Sequence, residues 1–139
     1  MKKRRAKGQN WAKEIVYRGI KYRSSWEVYV QKLLLYSGIN SQYEPRRYFL
    51  SQGVSYLPDF YLPELRIFIE VKGWLRQKDI VKLNMFKAKI TSRLIYLGEL
   101  ELGYIYGGKP AELSQINYEK YIPSREELLR FQEYIRKVK

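Results

Sequence analysis

YLPDFYLPELRIFIEVKGW, residues 56–74, is the stretch of sequence that decides the fold. It contains two runs rich in aromatic and β-branched residues, YLPDFYL at 56–62 and RIFIEVK at 66–72, with a short break between them. Such a pattern predicts two antiparallel strands that are joined by a tight turn. The register of this hairpin then decides which charged side chains meet on one face of the sheet.

Three charged side chains of the hairpin are predicted to share one face. With residues 64–65 as the loop, Asp59 pairs directly with Glu70, which puts their Cβ atoms about 5 Å apart. Glu70 and Lys72 are two residues apart on one strand and therefore point to the same side, together with Phe68. The opposite side carries the apolar residues that we expect in the core: Ile67, Ile69 and Val71.

The pair Asp59 and Glu70 is a candidate metal site, because two carboxylates this close repel each other unless a cation lies between them. Oxygen ligands suit Mg²⁺ or Mn²⁺, and the chain has no His and no Cys that would favour zinc. Such an ion activates a water and neutralises charge on a phosphate. Lys72 would orient that water or stabilise the pentacovalent phosphorus. The alternative is an Asp–Lys–Glu ladder on a sheet surface, worth only about 0.2–1 kcal/mol.

The composition indicates a folded protein that binds polyanions. The 139 residues are 45% hydrophobic, which is typical of one domain with its own core. Lys and Arg number 27 against 14 Asp and Glu, and the whole excess of +13 lies in residues 1–98. The absence of His and Cys excludes Ser-His-Asp triads, disulfides and Cys-based metal centres. No apolar run reaches the ~20 residues of a membrane span, so we expect a cytoplasmic protein.

The order of predicted elements indicates the α/β class, with a mixed β-sheet flanked by α-helices. Residues 1–12 are predicted to be a flexible basic arm, 13–98 the core, and 99–139 a C-terminal extension of the same domain. The remaining predicted elements of the core are a hairpin over 14–23, a helix over 25–37, a strand over 43–50, a tight turn in SQGVS (51–55), a helix over 77–90 and a strand over 93–98. The extension is predicted to contain a strand in GYIYGGKP (103–110) and an amphipathic helix over 125–138.

Four motifs, taken together and in this order, resemble the PD-(D/E)XK nuclease superfamily: YRSSWE at 22–27, QYEP at 42–45, PDFYLP at 58–63 and EVKGW at 70–74. The chain looks most like phage endonuclease I-type Holliday-junction resolvases and is also similar to TnsA-type transposase nucleases. The likeness covers about residues 17–90. It implies a restriction-endonuclease-like core in which residues 13–98 hydrolyse DNA phosphodiester bonds with Mg²⁺ or Mn²⁺.

The resemblance also implies a role for individual residues. The implied catalytic residues are Glu27, Asp59, Glu70 and Lys72. The implied metal ligands are Asp59, Glu70, Glu27 and the backbone carbonyl of Val71. Glu27 has a structural alternative, because Ser24 and Glu27 have the spacing of a capping box, in which the carboxylate accepts from the Ser24 amide.

Basic and aromatic residues around these motifs are candidate DNA contacts, since cationic side chains bind phosphates and aromatic rings accompany them in nucleic-acid sites. The candidates are Lys2, Lys3, Arg4, Arg5, Arg46, Arg47, Trp74, Arg76 and Lys78, with Lys82 beside them. For each of these the alternative is a solvated side chain.

Several functional alternatives stay open. Within the nuclease class these are a Holliday-junction or branched-DNA resolvase, a site-specific nickase or homing enzyme, and a transposition or restriction nuclease, acting in a prokaryotic or phage-infected cell. Outside that class the chain could be a basic DNA-binding module. The last helix either mediates a homodimer or partner docking, or packs on its own core. The phage resolvases join their two catalytic lobes by a longer bridge at the place where this chain has the tight turn in SQGVS. The short turn therefore weighs against a domain-swapped dimer.

Overall fold

The computed structural model describes residues 14–138, and the predicted arm with Lys2, Lys3, Arg4 and Arg5 lies outside the described residues. The strands of the described part are β1 Ile15–Tyr17, β2 Ile20–Tyr22, β3 Gln42–Tyr43, β4 Tyr48–Ser51, β5 Val54–Tyr56, β6 Phe60–Leu62, β7 Ile67–Val71 and β8 Leu94–Leu97. Its helices are α1 Ser25–Tyr36, α2 Gln77–Lys89, α3 Glu99–Tyr106, a 3-10 helix Pro110–Gln115 and α4 Arg125–Arg136. Within residues 14–138 no helix has the length and apolar character needed to cross a membrane.

A four-stranded mixed sheet forms the centre of the fold, in the order β3-β6-β7-β8. β3, β6 and β7 are antiparallel neighbours, whereas β7 and β8 are parallel. α2 supplies the crossover between the two parallel strands, which cannot be joined by a tight turn. Helices pack against the sheet, so the predicted mixed α/β architecture is confirmed.

The decisive hairpin β6–β7 has the predicted register. Phe60 pairs with Ile69, as a loop at residues 64–65 requires. Asp59 directly precedes the first paired residue of β6, and Glu70 directly follows the partner of that residue on β7. The two carboxylates therefore occupy opposite positions where the hairpin ladder ends. The single strand predicted over 56–62 is wrong, however, because Tyr56 ends β5, residues 57–59 lie in no strand and β6 begins at Phe60. β7 is one residue shorter at each end than the predicted run 66–72.

Alternation along β7 distributes its side chains between two hydrophobic cores. Ile67, Ile69 and Val71 join the larger cluster, which includes most of α1, and this confirms their predicted place in the core. Phe68 points to the other side, where its ring lies 5.1 Å from that of Phe86 in α2. The strand is therefore held on both faces, and Glu70 near its end has little freedom to move.

α1 is buried because the C-terminal part of the chain covers it. Val28, Val30 and Leu33 have no exposed surface. The 3-10 helix and α4 both contact α1, and Phe131 of α4 is fully buried in the same cluster as the sheet. Of the two alternatives for the last helix, the structure therefore has it packed on the chain's own core.

Two short hairpins flank this centre, and both are predicted by the sequence. The β1–β2 turn consists of Arg18 and Gly19 with φ of 54° and 82°, and two positive φ values are the signature of a type I′ turn. β4 and β5 are joined at residues 52–53, which confirms the tight turn expected for SQGVS.

The strand predicted in GYIYGGKP is wrong, because Gly103 to Tyr106 belong to helix α3. The helix begins where Glu101 accepts a hydrogen bond of 2.8 Å from the Gly98 N–H, and it ends at Gly107 with φ of 79°. Leu102 and Ile105 are buried on its inner side. Tertiary burial and the two caps thus outweigh the strand preference of Tyr and Ile.

The single strand predicted over residues 43–50 is also wrong, because it is two strands, β3 and β4, with a break at residues 44–47. Glu44 adopts a positive φ of 48°, and Pro45 has no N–H to donate to a ladder. The break matters for the site, because it separates the β4–β5 hairpin from the central sheet.

Candidate active site

An open cleft of about 520 Å³ lies where the start of α1, the β4–β5 hairpin, the adjoining ends of β6 and β7 and the start of α2 come together. It is lined by the four side chains predicted to be catalytic: Glu27, Asp59, Glu70 and Lys72. Val71, the predicted backbone ligand, lines it as well. Motifs that are far apart in the sequence are therefore brought together in one place.

Asp59 is held against the end of β7. Its carboxylate is only 7% exposed, and Oδ2 accepts a hydrogen bond of 2.7 Å from the Val71 N–H. The Asp59 carbonyl accepts another, also of 2.7 Å, from the Glu44 N–H. Burial raises the pKa of Asp59 well above its usual range, and the charges of Glu70 and Glu27 raise it further. The backbone of β7 thus orients a carboxylate that carries unfavourable charge.

Glu70 is oriented by a tyrosine from the neighbouring hairpin. Its Oε1 accepts a hydrogen bond of 2.5 Å from the hydroxyl of Tyr56 in β5. Burial raises the pKa of Glu70 to about 7, in spite of the Tyr56 hydrogen bond and the Lys72 charge, which both lower it. A carboxylate with such a pKa is only partly ionised near neutral pH when nothing else compensates its charge.

Glu27 is the second buried carboxylate of the cleft, with 5% of its surface exposed, whereas Glu70 is half-buried. Its Oε1 accepts from the Arg23 N–H at 3.1 Å and from the Tyr43 hydroxyl. Ser24 does cap α1, since its Oγ accepts from the Glu27 N–H at 3.2 Å. The reciprocal half of the predicted capping box is wrong, however, because the carboxylate binds the amide of Arg23 rather than that of Ser24. Burial is the largest cause that raises the pKa of Glu27.

The donor set of the cleft suits a hard divalent cation. It consists of oxygen atoms, and the hydrogen bonds described above use one oxygen of each carboxylate, which leaves the second oxygen available to a ligand. Within residues 14–138 no group of three or more acidic residues, Glu27, Asp59 and Glu70 included, lies close enough together to hold a metal ion. Mg²⁺ does not require such a group, because it commonly takes one or two carboxylates and keeps several waters. Asp59 and Glu70 therefore fit as the carboxylate pair, with the Val71 carbonyl as the predicted third ligand.

Lys72 is held at the edge of the cleft by its main chain and by an acidic neighbour. Its carbonyl accepts a 2.7 Å hydrogen bond from the Tyr96 hydroxyl, and its Nζ lies 3.7 Å from Oδ1 of Asp79. Asp79 also accepts from the N–H of Arg76 at 2.9 Å, at the start of α2. Asp79 therefore links the lysine to the first turn of the helix, a role that the sequence analysis missed.

The cleft is rimmed by cationic side chains. Of the candidate DNA contacts, Arg47, Trp74 and Arg76 line it, and so does Lys82. Arg46 lies over the Tyr48 ring, 4.4 Å from its centroid, and Lys78 is exposed on α2; neither lines the cleft.

Arg23 is a further cation of the cleft that the sequence analysis missed. Its Nε lies 2.7 Å from Oε2 of Glu44, so it pairs with an acid of the QYEP motif. The only signal for Arg23 is its place inside YRSSWE. Tyr43 lies inside QYEP and Tyr56 begins YLPDFYL, but nothing in the sequence indicates that their hydroxyls bind carboxylates, because each reaches its partner through tertiary packing.

Comparisons with known proteins found no match: no family model, no curated protein and no solved structure is similar to this chain at a significant level. The functional argument therefore depends on the residues of the cleft themselves.

Proposed function

We propose that this chain is a metal-dependent endodeoxyribonuclease with a restriction-endonuclease-like core, and that it hydrolyses DNA phosphodiester bonds in the cleft. The observation that carries the proposal is the convergence of Glu27, Asp59, Glu70 and Lys72, from three separate elements, in one cleft rimmed by arginine and lysine. An acidic centre for a cation inside a basic surface for phosphates is an electrostatic arrangement that suits metal-assisted phosphodiester hydrolysis.

The roles in this proposal follow from the contacts of each residue. A bound Mg²⁺ or Mn²⁺ supplies Lewis-acid polarisation of the phosphate and compensates its charge. Asp59 and Glu70 would hold the ion, with their carboxylates oriented by the Val71 N–H and the Tyr56 hydroxyl. The Lys72 ammonium donates to the attacking water or to the phosphate oxygens. Arg47, Arg76 and Lys82 bind the phosphates on either side of the scissile one.

The buried acids argue against the main alternative, a basic DNA-binding module with an Asp–Lys–Glu ladder. In the described part of the chain neither Asp59 nor Glu70 forms an ion pair, and Lys72 pairs with Asp79 instead. Burial and neighbouring acids raise the pKa of both carboxylates, and the nearby charges of Arg23 and Lys72 offset this only in part. Such an arrangement lowers stability unless a cation occupies the cleft.

A branched DNA, such as a Holliday junction, is the substrate that we expect first, in the cytoplasm of a prokaryotic or phage-infected cell. The alternatives within the same superfamily are a nickase or homing enzyme and a transposition or restriction nuclease. Mapping the cleavage products on junction, flap, linear and supercoiled DNA distinguishes these, since each predicts a different preferred substrate and cut position.

The proposal is tested by cleavage of supercoiled plasmid and of a four-way junction with Mg²⁺, with Mn²⁺ and in EDTA. We expect cleavage that needs the ion and that falls by at least about a hundredfold in Asp59→Asn and Lys72→Ala. Glu64→Gln and Lys87→Ala are matched controls, because both residues are exposed and lie away from the cleft. Full activity in EDTA, or in either cleft variant, would overturn the proposal. A protein that binds DNA tightly and cuts none of these substrates would favour the binding module.

A further inference from the structure

Two exposed aromatic side chains stand on the walls around the cleft. Phe49 in β4 is 81% exposed, and Trp74, which follows β7, is 62% exposed. Neither side chain belongs to the hydrophobic clusters of the described residues. Tyr48 and Leu50, the neighbours of Phe49, point the other way into the smaller cluster. Phe49 therefore faces solvent because of the strand's alternation and not because the hairpin is unfolded.

Both faces of the β4–β5 hairpin border the cleft: Tyr56 lines it from the face that packs on α2, and Phe49 lies on the opposite face. Phe49 pairs with Ser55 across the hairpin, and directly paired residues have side chains on the same side. Ser55 lines the cleft, and its Oγ accepts a hydrogen bond of 3.2 Å from Nη1 of Arg47, which lines the cleft too. Phe49 thus lies next to the cleft on one wall, and Trp74 lines it from the segment after β7.

The charge of the surrounding surface identifies the class of ligand. Arg23, Arg47, Arg76 and Lys82 line the same cleft, so a polyanion is the complementary partner. Exposed aromatic rings beside cationic side chains are the combination with which proteins bind unpaired nucleotides, because each unstacked base offers an apolar face to a ring. A continuous duplex contacts such rings less favourably, since its bases are already stacked and a base step must first be unstacked.

We propose that Phe49 and Trp74 stack against unpaired bases on the two sides of the cleft, and that the protein thereby selects DNA whose strands are separated next to the bound phosphate. The substrate class is a forked, flapped or branched duplex. This inference rests on the proposed function, which explains why the protein would bind such DNA. It concerns binding alone, however, and can be tested without cleavage.

The test is fluorescence anisotropy in EDTA with two labelled probes of equal length and sequence, a blunt duplex and a fork with unpaired arms. The variants are Phe49→Ala and Trp74→Ala, each compared with the conservative Phe49→Tyr and Trp74→Phe. Leu100→Ala and Ile122→Ala are matched controls, because Leu100 is 85% exposed and Ile122 is 65% exposed and neither lines the cleft. Melting temperatures and sedimentation are measured for every variant.

We expect wild type to bind the fork at least about tenfold more tightly than the blunt duplex, since base–aromatic stacking contributes about five- to a hundredfold per base. Phe49→Ala and Trp74→Ala should each reduce this preference by about fivefold or more while binding to the blunt duplex stays the same. The conservative variants should retain most of the preference, and the two control variants should retain all of it.

Equal affinity of wild type for fork and duplex would overturn the inference. So would alanine variants that bind both probes as wild type does, or that lose affinity for both probes equally. A change from dimer to monomer in Phe49→Ala with unchanged fork binding would assign that ring to self-association instead. The outcome is separate from that of the cleavage test. Fork selection through both rings without any cleavage would contradict the proposed function alone, whereas metal-dependent cleavage with equal affinities would contradict this inference alone.

Discussion

Buried carboxylates occur both in the cleft and under the C-terminal helix, but they differ in the number of hydrogen-bond donors that surround them. Glu127 in α4 is 4% exposed and accepts hydrogen bonds from the Tyr29 hydroxyl at 2.5 Å, from the Tyr121 hydroxyl and from the Ser124 N–H at 2.6 Å. Asp59 is equally buried, and its carboxylate accepts from the Val71 N–H at 2.7 Å.

The difference teaches that burial of an acid does not by itself indicate a functional site. A carboxylate surrounded by donors is a structural element that fixes the chain around it. A carboxylate with few donors and acidic neighbours is destabilising, and it persists where a bound ligand compensates its charge. By this criterion Glu127 belongs to the core, whereas Asp59 and Glu70 fit the proposed binding site.

The largest effect on folding is expected from Glu127→Ala. The substitution leaves the hydroxyls of Tyr29 and Tyr121 without their acceptor in a buried place, so the free energy of unfolding should fall by about 2–4 kcal/mol. Urea denaturation measures this change, and Glu126→Ala is the matched control because Glu126 is exposed in the same helical turn. A Glu127→Ala variant as stable as wild type would contradict the structural role that we assign to Glu127.

Glu70→Gln should have the opposite effect: it should raise the free energy of unfolding of the metal-free protein. The pKa of Glu70 is raised from 4.5 to about 7, so the folded state holds its proton more tightly than the unfolded state does. The stabilisation that this bound proton gives to the folded state is fully present below about pH 4.5 and is lost as the pH rises through about 7. A glutamine is neutral throughout, so the variant should be more stable than wild type by about 1–3 kcal/mol at about pH 8.

The measurement is urea denaturation in EDTA at about pH 4.5 and about pH 8. The two proteins should differ at the higher pH and nearly coincide at the lower one. Glu64→Gln, an exposed acid of the β6–β7 loop, should follow wild type at both. If Glu70→Gln is instead less stable than wild type at about pH 8, the Glu70 carboxylate stabilises the fold, as we infer for the carboxylate of Glu127.

A smaller effect is expected from Tyr56→Phe, because it removes the hydroxyl that orients Glu70 and leaves the ring in place. Loss of a partner that orients a metal ligand typically weakens metal binding by about tenfold. The Mn²⁺ concentration that gives half of the maximal rise in melting temperature should increase accordingly. Tyr61→Phe is the control, since the Tyr61 ring packs on Phe68 at 4.6 Å outside the cleft. An equal Mn²⁺ dependence in Tyr56→Phe and Tyr61→Phe would show that the Tyr56 hydroxyl does not contribute to metal binding.

The smallest effect is expected from Asp79→Asn. The variant keeps an acceptor for the Arg76 N–H but loses the charge next to Lys72. Because Lys72 is about one-third exposed, that ion pair contributes at most about 1 kcal/mol. We expect cleavage to slow by no more than about fivefold, with nearly unchanged stability. Asp79→Ala removes the cap as well and should lower stability by about 0.5–1 kcal/mol more, by urea denaturation. A complete loss of cleavage in Asp79→Asn would show that the lysine depends on this acid far more than the ion pair implies.

The sequence predicts the hairpin β6–β7 well because a single loop position determines every pair in an antiparallel register. Alternation along the second strand then separates Glu70 and Lys72 from Ile67, Ile69 and Val71, and the structure has them so. Local periodicity with caps likewise predicts α1, α2 and α4. These are features that depend on neighbours in the sequence.

The features that the sequence does not reveal depend on tertiary contacts. α3 is a helix in spite of its strand-forming residues, because Leu102 and Ile105 are buried in the core where α3 contacts α4 and the 3-10 helix. Tyr43 and Tyr56 reach the carboxylates from strands that are separate in the sequence from their partners. Arg46 and Arg47 are adjacent and alike, yet only Arg47 lines the cleft, whereas Arg46 lies over the Tyr48 ring.

The central claim is that the cleft acids are functional and the acid under α4 is structural. It is tested most directly by the rate at which folded protein nicks supercoiled plasmid as Mg²⁺ is titrated, with Glu70→Gln and Glu127→Gln measured beside wild type. The account predicts that wild type and Glu127→Gln nick at similar rates per folded molecule, and that Glu70→Gln is slower by at least about a hundredfold at every Mg²⁺ concentration. Glu70→Gln that nicks at the wild-type rate would contradict it.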